Sequence, residues 1–157
     1  FLTINMNIKL EQYLYKRFAS FFSNDAQHVD SFTIDCEDGW FQIIYWACIY
    51  IEQKNKYSSN KCDFKFLQIK EKFSKLRIYT ANEDDEIRNI LDFSEVISGF
   101  ICEKTGKTND IARNTMGWIK TYNVDEFGDR KTKFVYDDEL REIFNSINQQ
   151  KSLQDQH

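Results

Sequence analysis

The chain has 157 residues, 41% hydrophobic and 16% aromatic, which is enough to bury one core and too apolar for a disordered chain. Its formal net charge of −4 excludes bulk attraction to nucleic acid as the default mode of action, and no apolar run is long enough for a helical membrane span. With 14 Phe, 8 Tyr and 3 Trp, no Pro and five Gly, the composition predicts a ring-rich core with long regular elements, not an all-β fold full of tight turns.

Phe1 to Met6 lacks the basic start and apolar length of a secretion signal, and Met6 is a candidate native start. Asn7 to Phe22 predicts a first helix, because Leu10, Leu14, Phe18 and Phe21 or Phe22 recur on one face. Val29, Phe32 and Ile34 are spaced for a short extended piece. Glu37-Asp38-Gly39 reads as a turn into a helix, with Gly39 supplying a positive φ and Asp38 the N-terminal cap. Trp40 to Gln53 is apolar nearly all round and predicts a central helix.

Asp63 to Lys70 and Leu76 to Thr80 alternate as two strands of a hairpin, joined by Glu71 to Lys75 with Phe73 as an inward anchor. On the first strand Phe64, Phe66 and Gln68 are expected to face one way, and Lys65, Leu67 and Ile69 the other. Asn82 to Ile101 predicts an amphipathic helix capped by Asn82, with Ile87, Ile90, Leu91, Ser94, Ile97 and Ile101 in one stripe. Beyond it, Glu103 to Met116 reads as a polar loop, and Gly117 to Tyr122 as a strand or ordered turn anchored by Trp118. Thr132 to Tyr136 reads as a last strand and Asp137 to Ile147 as a final helix. The whole predicts a single α+β domain over residues 1–150, a small antiparallel sheet packed against three to four helices, with 151–157 a flexible tail.

Charge is unevenly laid out. Acids Asp35, Glu37 and Asp38 stand in a stretch without Lys or Arg, and Glu83, Asp84, Asp85 and Glu86 open the third helix. Between them lies a basic hairpin carrying Lys65, Lys70, Lys72, Lys75 and Arg77. Strand alternation is expected to split those cations between two faces, which favours the acids as the functional surface. No catalytic residue, cofactor site or metal site is assigned. Cys36, Cys48, Cys62 and Cys102 have neither staple nor zinc spacing and are expected to be reduced and mostly buried. Gly106-Lys107-Thr108 resembles the end of a phosphate loop, but the upstream glycines are missing.

Four segments stand out together: Cys36-Glu-Asp-Gly-Trp-Phe41, Gln68-Ile-Lys-Glu-Lys-Phe-Ser-Lys-Leu-Arg-Ile-Tyr79, Asp84-Asp-Glu-Ile-Arg88 and Cys102-Glu-Lys-Thr-Gly106. In this order they resemble a family of small bacterial and phage proteins with a Gly-Trp segment, a Lys-Glu-Lys-Phe-Gly-x-Leu-Arg segment and a C-terminal cysteine-rich ribbon. Gly117-Trp118 and Thr121 continue the likeness, whereas Thr105 and Asn123 stand where that pattern has cysteines. The resemblance implies a zinc-ribbon-like module that has lost its ligands, in a phage or defence setting. The expected function is a cytoplasmic protein-interaction module, an inhibitor whose acids Asp35, Glu37, Asp38 and Glu83 to Glu86 meet a basic protein surface. The alternative is a nucleic-acid-binding accessory protein that uses the basic hairpin.

Overall fold

A computed structural model of the chain describes residues 5–22, 32–59 and 62–157. The α+β architecture holds, but among the described residues there are five helices and two three-stranded sheets instead of one small antiparallel sheet. Asn7 caps α1 (Ile8–Arg17) by accepting the Lys9 amide at 2.9 Å, and a break at Phe18 sets off the short α2 (Ala19–Phe22). Helix α3 (Phe41–Tyr57) follows a single 3₁₀ turn at Asp38–Trp40 and outlasts the expected end at Gln53. Its apolar surface is not buried all round: Ile44, Ala47, Cys48 and Ile51 are buried, whereas Trp46 is 60% exposed.

The first sheet has the order β1 (Ile34–Asp35), β2 (Lys65–Lys72), β3 (Lys75–Ala81), with β1 parallel to β2 and β3 antiparallel to it. Of the extended piece expected around Val29, Phe32 and Ile34, Val29 lies outside the described residues. A bulge between Phe66 and Gln68 resets the alternation of β2. Leu67 and Gln68 are both exposed, and Ile69 joins Phe66 on the buried face, opposite to the strict alternation expected. That face also carries Leu76 and Ile78. Ring contacts tie the N-terminal helices to β2, Phe22 against Phe66 at 4.9 Å and Phe21 against Phe64 at 5.5 Å, as the ring-rich composition predicts.

Helix α4 (Asp85–Ser98) starts later than expected, because Asn82 has φ +61° and Asp84 is the cap that accepts the Ile87 amide. The helix covers the free edge of β3. Ser98 Oγ accepts the Leu76 amide at 2.9 Å and Glu95 Oε1 the Ile78 amide at 2.8 Å, so this edge offers neither amide to another chain.

The second sheet has the order β5 (Thr121–Asn123), β4 (Ile111–Asn114), β6 (Thr132–Phe134), antiparallel throughout. Its central strand lies inside the stretch read as polar loop; four residues with two apolar members give almost no periodic signal. Its core is small: Cys102, Ile111, Ala112, Tyr122 and Phe127. A sheet this short needs docking to be stable. Gly39 provides it, its amide donating to the Glu103 carbonyl at 2.7 Å, and the Trp40 indole N–H donates to the Ile101 carbonyl at 2.9 Å. A Cβ at Gly39 would stand 2.1 Å from the Cys102 carbonyl oxygen. Glycine is therefore required here for close approach, not for the positive φ expected. Asp38, expected to cap the following helix, instead accepts the Asn7 amide at 2.7 Å and joins the start of α1 to this junction.

Helix α5 (Asp138–Gln154) is capped by Asp137 and runs past Ile147, through part of the expected tail. It attaches through its first turns, with Phe144 against Tyr136 at 5.8 Å and the Arg141 guanidinium 3.3 Å from the Phe134 ring centre.

Candidate functional site

The register of the β2–β3 hairpin decides where its cations go. Lys70 pairs with Arg77, Lys72 with Lys75 and Gln68 with Tyr79. Directly opposed residues share a face, so these four cations stand on the outer face, away from Ile69, Leu76 and Ile78. This corrects the expected split between faces: the bulge and the hairpin register bring the charges together. Lys70 Nζ lies 5.6 Å from the Tyr79 ring centre, and Tyr79 is 44% exposed. Lys65, the fifth candidate cation, is engaged elsewhere, donating to the Ser20 carbonyl with Asp63 at 3.4 Å. The parallel register places one acid, Asp35, beside Lys70.

The tip of the hairpin is a two-residue turn with φ +51° at Phe73 and +64° at Ser74. Positive φ at both central residues defines the turn type that favours Asn-Gly, and a bulky ring in this region costs about 1–2 kcal/mol. Glu71 holds the turn by accepting the Ser74 amide at 2.8 Å. Phe73 is 79% exposed, the reverse of the inward anchor expected, so burial does not offset its strain.

Across from it lies the loop Thr115 to Ile119. Trp118 was expected to anchor this loop, yet it is 70% exposed. The anchor is Asn114, which is buried. Its Nδ2 donates to the carbonyls of Met116 at 2.7 Å and Trp118 at 2.9 Å, and its Oδ1 accepts the Lys120 amide at 2.7 Å. Phe73 and Trp118, with Glu71, Lys72, Gly117 and Ile119, line a cleft of about 450 Å³. Lys72 belongs to both the cleft and the basic face, so the two are continuous.

Beneath the cleft a buried ionic group joins the two sheets. Lys120 Nζ donates to Glu103 Oε1 at 2.8 Å, with a Glu71 oxygen at 3.8 Å, and Glu103 Oε2 accepts the Glu37 amide at 3.1 Å. Burial pushes the Glu103 carboxyl above its ordinary value, against the pull of Lys120. The Tyr122 hydroxyl donates to Glu37, and its pKa is raised by burial and by that bond. Glu103 is fully buried, so its carboxylate acts in the joint between the sheets. Sequence reading missed Asn114, Glu103 and Lys120, because nothing local marks a polar residue as buried.

The acids expected to form the interaction surface fall into two groups on different elements. Glu37 accepts from Tyr122 and Asp38 from Asn7, both close to the joint between the sheets. Asp84 pairs with Lys54 and caps α4, and Glu86 accepts the Tyr50 hydroxyl at 2.6 Å. Four of the seven acids therefore have internal partners, and Asp35, Glu83 and Asp85 complete the set. Cys36, Cys48 and Cys102 are buried and Cys62 half-buried, with burial pushing the Cys36 and Cys48 thiols up. Among the described residues no group of His, Cys, Asp or Glu could hold a metal ion. The Cys102 turn is closed by its own backbone, Gly106 N–H to Cys102 O at 2.9 Å and Cys102 N–H to Lys107 O at 2.8 Å. No helix among the described residues is long and apolar enough to cross a membrane. Comparison with protein-family models, with curated proteins and with solved structures gave no match.

Proposed function

We propose that the protein binds nucleic acid across the outer face of the first sheet. The observation that carries this reading is the register that gathers Lys70, Lys72, Lys75 and Arg77 on one face with Tyr79. Cations set at strand spacing follow a phosphate backbone, and an exposed ring beside them offers a stacking surface. The net charge of −4 opposes the reading only if the acids face the ligand. Asp35 stands beside Lys70 on that face, whereas Asp84, Glu86, Glu52 and Glu103 are engaged with Lys54, Tyr50, Arg17 and Lys120.

The interaction module expected from the acids is less favoured because Asp84 and Glu86 already have partners in the fold. The phage or defence setting and the cytoplasmic location belong to this proposal, on the strength of the segment resemblance and the four free cysteines. Fluorescence anisotropy with a labelled oligonucleotide tests it. Charge reversal at Lys70 and Arg77 abolishes binding while unfolding remains unchanged. Undiminished binding by that double variant rejects the assignment of the face.

A further inference from the structure

We infer that the cleft between Phe73 and Trp118 captures an unstacked nucleobase, and so selects single-stranded over double-stranded nucleic acid. The inference rests on the nucleic-acid reading above and adds to it the feature that reads the bases.

Three independent observations converge on the cleft. The first is strain. Phe73 sits at φ +51° with 79% of its surface exposed, a conformation that costs stability and recovers little of it by packing. Strain without burial points to a ring held out for use. The second is rigidity on the opposite wall. Trp118 is 70% exposed, yet the loop bearing it is fixed by three hydrogen bonds from one buried side chain, Asn114. An exposed indole on a fixed frame loses little freedom on binding. The third is continuity of charge. Lys72 lines the cleft and stands in the row of cations on the sheet.

These features fit a strand whose phosphates run along the sheet while one base turns off the end of the hairpin into the cleft. The volume of about 450 Å³ admits a flat ring. The aromatic walls suit the faces of any base, which all carry a π surface. A paired base in a duplex is stacked on both sides and does not enter. A peptide ligand would also be drawn to exposed rings, but the adjoining cations favour a polyanion.

The test uses the full chain with Trp46→Phe, which leaves Trp118 as the exposed indole, since Trp40 is fully buried. Short oligo(dT) and a duplex are titrated by tryptophan fluorescence and by anisotropy. Single-stranded DNA is expected to quench Trp118 and the duplex not to. Phe73→Ala and Trp118→Ala are each expected to weaken single-strand binding by about tenfold, the order of one lost stacking contact, and to leave the salt dependence unchanged. Both side chains are exposed, so these variants are expected to fold, with circular dichroism as the check. If both variants bind oligo(dT) as the parent does, with the salt dependence intact, the cleft inference is overturned and the sheet-face reading stands. If the parent binds neither oligo(dT) nor duplex, both fall.

Discussion

Gly39→Ala probes the joint on which the second sheet depends. A Cβ at this position would lie 2.1 Å from the Cys102 carbonyl oxygen, 2.5 Å from the Glu103 carbonyl oxygen and 2.5 Å from the Gly106 nitrogen. All three are backbone atoms, so no side chain can swing aside. Ordinary contact requires the two segments to part by more than an ångström, which breaks the 2.7 Å bond from the Gly39 amide to the Glu103 carbonyl and loosens the Trp40 indole bond to Ile101. Overpacking costs roughly 1–3 kcal/mol and each hydrogen bond about 1 kcal/mol more. The expected loss is therefore about 3–5 kcal/mol, or a fall in Tm of about 10 °C for a chain of this size. Urea and thermal unfolding measure it, with Gln42→Ala on the exposed face of α3 as the control. A loss below about 1 kcal/mol would show that the Cys102 turn can yield, and the close-packing argument would fail.

Other perturbations separate the roles of the site residues. Replacing Phe73-Ser74 by Asn-Gly is expected to raise stability by about 1 kcal/mol, because these residues suit the positive φ values, and to weaken single-strand binding. A drop in Tm would refute the claim that Phe73 is held out under strain. Lys120→Ala leaves Glu103 buried and unpaired, and is expected to cost about 3 kcal/mol or more at neutral pH. The folded-state pKa of Glu103 is already raised above its unfolded value, so ionisation costs stability as pH rises through the folded value. The Lys120→Ala defect should therefore shrink in mildly acidic urea titrations; a defect that grows there contradicts the assignment. Under native conditions a thiol reagent should label Cys62 ahead of the buried Cys36, Cys48 and Cys102. Asp35→Asn should tighten nucleic-acid binding, since Asp35 adjoins Lys70 on the basic face; unchanged or weaker affinity in anisotropy would count against that placement.

Much of the scaffold was legible because it rests on local repetition. The stripe through Ile87, Leu91 and Ser94 marked α4, and the alternation of Leu76 with Ile78 marked β3. What escaped depends on partners distant in sequence. The bulge at Phe66 and Gln68 is set by pairing with β3, and that single irregularity determines which face carries the lysines. Gly39 resembled a turn glycine because the carbonyl it approaches belongs to Cys102, far along the chain. Large apolar residues are usually buried, so the sequence alone points Phe73 inward and makes Trp118 an anchor of its loop. A turn of Phe-Ser gives no sequence signal for positive φ, and the hydrogen bonds of Asn114 become visible only once β4 is formed.

In the proposed complex, phosphates lie along Lys70, Lys72, Lys75 and Arg77. Each single-strand phosphate neutralised contributes about −0.7 to the slope of log affinity against log salt. Four cations give a slope of about −3, or roughly a fifty-fold loss of affinity between about 50 and 200 mM salt. The decisive measurement is that slope for oligo(dT), taken for the native chain and for Lys70→Ala/Arg77→Ala. The double variant is expected to halve the slope to about −1.4 with the fold intact. A slope near zero in the native chain, or one unaltered in the double variant, would contradict it.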